Sequence, residues 1–305
     1  MNLDRMKSWL VAVVFLGIAG TVAGAEEKPL NLLIIDGQNN HAWEIMTPLM
    51  KAELEKTGRF AVDVATTPGK QAAKDAWKDF RPDFSKYDVV LSNYNGQAWP
   101  PEVQQALVKY VRAGGGLVII HAANNAFSDW PEWNQMIGLG WRNNAFGDRM
   151  TLDAQRKVVR TPKNEGPGAG HGPTHEFLVE SVDSTHPVMQ GLPEKWLHAN
   201  DELYHGQRGP AQDMHILGAA FSALDKKGTG TYEPMVWWIP FGKGRVFTTL
   251  MGHVTPTDTR GIRCVGFLTI MNRGAEWAAT GKVTIPVPKN FPTATETRLI
   301  PEQKP

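Results

Sequence analysis

Cysteine is nearly absent from this 305-residue chain, which carries Cys264 alone. A single cysteine excludes an intramolecular disulfide framework and any cysteine-rich zinc or iron–sulfur site. Charge of one sign is lacking too. With 32 Lys and Arg against 31 Asp and Glu, the chain has no basic excess to match a phosphate backbone, so no nucleic-acid partner is expected. Long apolar runs are also missing. Trp9 to Ile18 falls short of the ~20 residues that span a bilayer, so no stable membrane insertion is expected. Apolar material itself is plentiful, at 42% of residues with 11 Trp and 12 Phe, which excludes a disordered chain. At ~100–200 residues per domain, the length allows one large domain or two small ones.

The N-terminus reads as a targeting segment. Arg5 and Lys7 precede the apolar run, and Ala23-Gly24-Ala25 supplies the small residues that signal peptidase requires. Residues 1–25 are therefore expected to be a signal peptide. The mature chain would start near Glu26 and be exported, periplasmic or secreted. No cysteine stands at the cleavage point, which excludes a lipid anchor there; an uncleaved N-terminal anchor is the alternative.

The mature chain begins with alternating strand and helix patterns. Asn31–Ile35 is apolar on both faces, as in a parallel strand covered from both sides. A helical pattern from His41 to Lys56 stops at Gly58, Phe60–Ala65 alternates as a strand, and Tyr87–Asn93 is a third strand. Pro101 to Arg112 is a helix followed by Gly114–Gly116, and Leu117–Ile120 is a fourth strand. This order implies an open parallel sheet with right-handed crossovers. Its ligand crevice lies at the carboxyl ends of the strands, where this sequence places Asp36 to His41, Asn93 to Trp99 and His121 to Asn125. All three loops are polar.

The second half is less regular. Asn164–Pro173 is too rich in Gly and Pro for helix or strand. Glu176–Val182, His215–Phe221, Pro234–Ile239 and Arg245–Met251 read as strands, the last two joined as a hairpin through Phe241–Gly244. A final helix is expected from about Thr259 to Ala279, with Cys264 inside it as a core residue, and the tail from Pro286 as extended. With no repeat and no clear linker, residues 26–285 are expected to form one α/β domain with a β-rich extension.

Several residues in these loops can carry chemistry. His121 ends a core strand at the turn where one class of α/β enzymes holds a nucleophile. Here the stretch is Ile119-Ile120-His121-Ala122-Ala123, which excludes a cysteine or serine nucleophile and leaves a histidine able to act as base, metal ligand or donor; a histidine bonded to backbone is the plain alternative. His253 follows Gly252 at the end of another strand. Asp201–His205 gathers two carboxylates, a phenol and an imidazole. Extended alternation there separates Asp201, Leu203 and His205 from Glu202 and Tyr204, and paired carboxylates of unequal environment are what glycoside chemistry uses; a solvated acidic loop is the equal alternative. His171 and His175 have an HxxxH spacing, but Gly172 and Pro173 prevent the helix that would align the imidazoles. Asn39, His41, Asn95, Gln97 and Trp99 form a polar, aromatic-lined rim suited to a sugar or another polar ligand. Trp130, Trp133, Trp141, Trp196, Trp237 and Trp238 are read as core first, with a cleft lining or a homo-oligomer contact as alternatives.

These segments together resemble the ThuA-like (trehalose utilisation) family. The resemblance rests on Tyr87–Gly96, Gly114–Ala123, Trp141-Arg142, His186-Pro187, Asp201–Tyr204 and Gly242–His253, in order across roughly residues 30 to 280. It implies a doubly wound, mostly parallel sheet of the class I glutamine amidotransferase-like or flavodoxin-like kind. The amidotransferases use a Cys nucleophile with a His–Glu pair; this chain looks to keep the late-strand histidine, His253, without the cysteine, so glutamine hydrolysis is not expected.

The resemblance further implies work on trehalose and related disaccharides. The expected protein is an enzyme acting on a disaccharide or keto-sugar glycoside. His121 and His253 would handle protons, directly or through a bound divalent metal such as zinc, with Asp201 or Glu202 as carboxylate partner. Asn39, His41, Asn95, Trp99 and Tyr204 would bind the small-molecule sugar. A non-catalytic carbohydrate-binding protein and a metal-dependent hydrolase of another polar substrate are the competing readings.

Overall fold

In a computed structural model of the chain, which describes residues 28–302, the first half alternates strand and helix. The elements are β1 (Leu30–Asp36), α1 (Trp43–Glu55), β2 (Phe60–Thr66), β3 (Val89–Ser92), α2 (Pro101–Ala113), β4 (Gly116–Ile120) and α3 (Pro131–Ile137). The second half contributes β5 (Arg149–Leu152), β6 (Val158–Thr161), β7 (Gly170–His171), β8 (His175–Ser181), β9 (Lys195–Asp201) and β10 (Tyr204–His205). It continues with β11 (His215–Phe221), β12 (Tyr232–Phe241), β13 (Gly244–Thr249), α4 (Arg260–Arg263) and α5 (Val265–Thr280). The expected signal peptide lies outside the described residues. Among the described residues, no helix is long and apolar enough to cross a membrane.

One large sheet runs β2-β1-β3-β4-β13-β12-β11-β8-β9, with β5 and β6 branching from β12. The central five strands are parallel, as Ile34 opposite Leu91, Leu91 opposite Val118 and Ile120 opposite Thr249 illustrate. From β12 outward the pairing is antiparallel. The β-rich extension thus continues the parallel sheet.

Alternating side chains along each central strand divide the core in two. Leu32, Ile34, Val118 and Ile120 face α1 and α5, whereas Leu33, Ile35, Leu117 and Ile119 face α2 and α3. Both faces are therefore covered, which is why these strands read as unbroken apolar runs. Helix α2 shows the matching stripe: Val103, Leu107 and Val111 are buried, Pro101 occupies its first turn, and Gly114 closes it at φ 125°. Each such buried aliphatic side chain contributes roughly 1.5–3 kcal/mol. Because β2 lies to one side of β1 and β3 to the other, the crossover direction reverses between β1 and β3. A crevice opens at such a switch point.

The expected final helix is broken. Cys264 is extended (φ −63°, ψ 122°) between α4 and α5. The C-terminal tail explains the break: Val265 N–H donates to Arg298 O at 2.8 Å and Ile300 N–H to Arg263 O at 2.9 Å, so residues far along the chain take the backbone groups a continuous helix would use. Cys264 is fully buried, but at this joint rather than within a helix.

Candidate active site

The loops leaving β1, β4 and β13 each deliver one histidine. After β1, the Asn39 side-chain oxygen accepts the His41 N–H at 3.1 Å, while its amide donates to Asn93 at 3.3 Å. Asn39 thereby ties the β1 and β3 loops together across the switch point. His121 follows β4 directly and holds φ 45°, a left-handed conformation that costs a non-glycine residue about 1–3 kcal/mol. After β13, Gly252 takes φ 115° and lets the chain turn His253 inward.

These imidazoles converge on Glu202, which follows β9. His253 Nε2 lies 3.3 Å and His171 Nε2 3.5 Å from Glu202 Oε1; His121 Nε2 lies 3.5 Å and His41 Nε2 3.9 Å from Oε2. His121 Nδ1 is 2.6 Å from the Leu250 carbonyl, and His171 Nδ1 is 2.6 Å from the Gly172 carbonyl. A carbonyl only accepts, so each Nδ1 carries a proton and each Nε2 is turned toward Glu202. Among the described residues, the buried His121 Nε2 has no hydrogen bond of good geometry, its nearest carboxylate being Glu202. Tyr204 packs beside it, with ring centroids 4.6 Å apart, and Trp141 meets Tyr204 at 4.8 Å and His171 at 5.7 Å.

Charge is unevenly shared among these rings. Burial, reinforced by repulsion from His121, pushes the pKa of His41 down to about 3 and also lowers that of His253, so both are uncharged at neutral pH. Burial acts the same way on His121, but the Glu202 and Asp201 carboxylates outweigh it and raise its pKa. Burial raises Glu202 in turn, and the surrounding imidazoles, His121 first, overcome this and bring it down to about 2. The centre is thus an imidazolium–carboxylate pair flanked by neutral imidazoles. Burial raises Tyr204 well above the ordinary phenol value and keeps it a neutral phenol.

Asp201, expected as a candidate catalytic carboxylate, is placed differently. It is fully buried, and its oxygens are consumed inside the protein: Oδ1 accepts the Glu202 N–H at 2.6 Å and the His253 N–H at 3.1 Å. Oδ2 accepts the Gly252 N–H at 2.8 Å and lies 2.7 Å from His198 Nε2. Asp201 therefore positions the two loops that carry Glu202 and His253. The added Cβ of a residue in place of Gly261 would lie 2.9 Å from Asp201 Oδ2, so glycine there permits the close approach.

Trp99 also departs from expectation. It is buried among Phe127, Tyr94, Phe80, Trp130 and Trp133, with ring centroids 5.1–6.4 Å away, and forms core rather than a face for sugar. Asn95 remains on the rim, donating to Asn40 Oδ1 at 2.5 Å. His175 turns away, its Nδ1 2.8 Å from the Pro173 carbonyl. His205 lies 3.3 Å from Ser222 Oγ, away from Glu202. Glu202 meets the four imidazoles, whereas Leu203 and Tyr204 are both buried in the core, so Tyr204 backs the His121 ring and presents no open face to a sugar.

His171 and Trp141 belong to the site although local sequence argued against the first and favoured core for the second. His171 arrives through long-range pairing: β7 opposes β10, Tyr204 opposite His171. The loop before it is gripped by fully buried Arg208, which donates to the carbonyls of Pro162, Glu165 and Pro167. The only hint in the sequence was an arginine within a Gly-rich, turn-forming stretch.

The family model for ThuA, described as trehalose utilisation, matches residues 31–278. The chain belongs to the ThuA family. It is similar to a ThuA-like protein from Parabacteroides merdae ATCC 43184, with 43% identity and a TM-score of 0.84 over 90% of this chain and 98% of that one. A ThuA-like protein from Bacteroides uniformis ATCC 8492 shares the fold at 20% identity and a TM-score of 0.52, over 87% of this chain and 97% of that one. No curated protein matches the chain. ThuA membership fits the class I glutamine amidotransferase-like sheet described above, and it relates the chain to carbohydrate utilisation. At the strand-to-helix turn after β4, this ThuA chain holds His121 in the left-handed conformation noted above.

Proposed function

We propose that this ThuA protein is an enzyme of carbohydrate utilisation that acts on a disaccharide or keto-sugar glycoside, with its reaction centre at Glu202. The observation that carries the reading is the ring of four imidazole Nε2 atoms, 3.3–3.9 Å from one carboxylate, at the strand-end crevice. A simple sugar-binding cleft has no need of a buried, conformationally strained imidazolium; strain of this kind concentrates at reacting centres.

The chemistry follows from how the rings are held. His121, charged and fixed through Nδ1, is suited to give a proton from Nε2 to a departing glycosidic oxygen. His171, fixed the same way at the crevice mouth, presents Nε2 as a base. In a keto-sugar glycoside the hydrogen on the carbon beside the ketone is acidic. His171 would take that proton, the C–O bond one carbon further would break, and the leaving oxygen would take its proton from His121, giving an enone and a free sugar. Trp141 offers an aromatic face to the sugar ring, with Tyr204 packed behind it, and Asn95 offers polar contacts at the rim. Glu202 balances the charge on His121 until that proton is given up.

The test is turnover of a panel of disaccharides and their keto forms, followed by mass spectrometry. The reading expects a smaller product with native protein, and kcat reduced by 10²–10⁴-fold in His121→Asn, as for loss of a general acid. Saturable binding of a sugar that stays intact, for every member of the panel, would support the carbohydrate-binding alternative instead.

A further inference from the structure

We propose that His41, His253 and Glu202 together hold a divalent transition-metal cation of the zinc class, leaving an open coordination position toward the crevice. The inference deepens the functional reading and rests on its placement of the reaction centre. One ligand atom from each residue lies within 4.8 Å of the others. Ligands bound at ~2.0–2.2 Å stand a little over 3 Å apart around such an ion, so small side-chain rotations bring the three into range. His253 Nε2 and Glu202 Oε1 are already 3.3 Å apart.

The donor set also selects the metal. Two neutral imidazoles and a carboxylate suit zinc, iron, cobalt or manganese, whereas calcium and magnesium prefer all-oxygen shells and copper(I) prefers sulfur. Three protein ligands with a free fourth position mark catalytic rather than structural metal sites. His41 Nε2 is the lone-pair atom of its ring: the Asn40 side-chain amide donates to it at 3.2 Å, and that amide's orientation is set by the Asn95 contact to Asn40 Oδ1.

Two further features point to a ligand. Among the described residues, His121 Nε2, on a side chain only 1% exposed, makes no hydrogen bond of good geometry and stands 3.5 Å from the same carboxylate. Each ligand backbone is also anchored: Asn39 accepts the His41 N–H, and Asp201 accepts those of Glu202 and His253. Held groups behind metal ligands fix their geometry and strengthen binding. A cation here would face substrate oxygens between His121 and His171, leaving those two rings for proton transfer.

The experiment is elemental analysis and calorimetric titration of the full-length mature protein, stripped with chelator and reloaded with Zn²⁺, Mn²⁺ or Fe²⁺ alone. The expected result is one equivalent per chain. His41→Gln and His253→Gln should each weaken binding at least 100-fold, and His171→Gln should leave stoichiometry intact. Circular dichroism on each variant separates lost ligation from lost folding; should His253→Gln misfold, His41→Gln carries the test from the more exposed loop. No stoichiometric ion in native protein, or undiminished binding in both ligand variants, overturns the proposal. Sugar turnover that persists after full chelation overturns the metal while sparing the reaction centre, whereas a bound metal without any turnover spares the metal and removes the functional reading.

Discussion

Replacing Asp201 by Asn probes whether this buried carboxylate builds the site. The change is nearly isosteric, so no cavity forms, but one acceptor oxygen becomes a donor amide. Whichever oxygen is lost, two of the four surrounding donors lose their acceptor: the Glu202 and His253 amides on one side, or the Gly252 amide and His198 on the other. Hydrogen bonds to a charged group contribute about 1.5–3 kcal/mol each, so losing two costs about 3–6 kcal/mol, a range that overlaps the roughly 3–5 kcal/mol of a broken buried charge pair. For a chain of this size that is a fall in Tm of roughly 10 °C. The Asp201 pKa is lowered despite its burial, because His198, His121 and the Gly252 amide stabilise the charge. Its contribution is therefore present above the unfolded value near ~3.9 and lost as pH falls through the folded value, so the gap between native and variant should narrow in acid. Thermal unfolding by circular dichroism between pH 3 and pH 7 measures both effects. A Tm within about 2 °C of native at pH 7 would refute the argument that Asp201 organises these loops.

Trp99→Ala should lower stability by about 3–5 kcal/mol, as for a buried aromatic, and leave sugar affinity in the residual folded protein unchanged; Trp141→Ala should show the reverse pattern in KM and Tm. Arg208→Lys keeps the charge but loses the planar fork that grips three carbonyls. It should free the loop before His171, seen as faster proteolysis between residues 162 and 170, with kcat falling more than Tm. His41 has its pKa depressed to about 3, so between about pH 3 and 6.5 the unfolded chain binds a proton the folded one refuses, and stability rises with pH by up to ~1.4 kcal/mol per unit. Denaturant unfolding of native protein and His41→Gln across pH 4–7 should show a shallower slope in the variant, and equal slopes would contradict the assignment.

The parallel half was legible because its physics is local. Strands covered on both faces announce themselves as apolar runs, and α2 carries Pro at its start, Gly at its end and a buried stripe between. The crevice followed from topology alone, so His121 and the polar loops after β1 and β3 could be placed without side-chain detail, whereas His253, at the end of a strand read as half of a hairpin, reaches the crevice because β13 also pairs parallel to β4. Strands β5, β6, β7 and β9 and helix α3 were not foreseen, β7 lying within the Gly- and Pro-rich stretch read as neither helix nor strand. The β6 segment is exposed on nearly every residue and pairs only with β5, so it carries no apolar period. The break at Cys264 depends on a tail more than thirty residues downstream. His171 was set aside on a sound local rule, that Gly and Pro forbid a helical HxxxH pair. It reaches Glu202 by another route, through a two-residue strand pairing and the reach of Arg208, neither of which sequence spacing encodes. The roles of Asp201 and Glu202 were inseparable in sequence, since adjacent carboxylates differ only by which one the alternating backbone turns inward.

Glu202 is the proposed centre of the reacting site, and the most direct test is turnover by Glu202→Gln. The amide keeps the size of the side chain but removes the charge that holds His121 protonated. With the keto-disaccharide panel and product mass spectrometry, the account predicts native protein that forms product and a folded variant slower by at least 100-fold, with His121 titrating at a lower pH by NMR. A folded Glu202→Gln variant with native turnover and an unmoved His121 would contradict it.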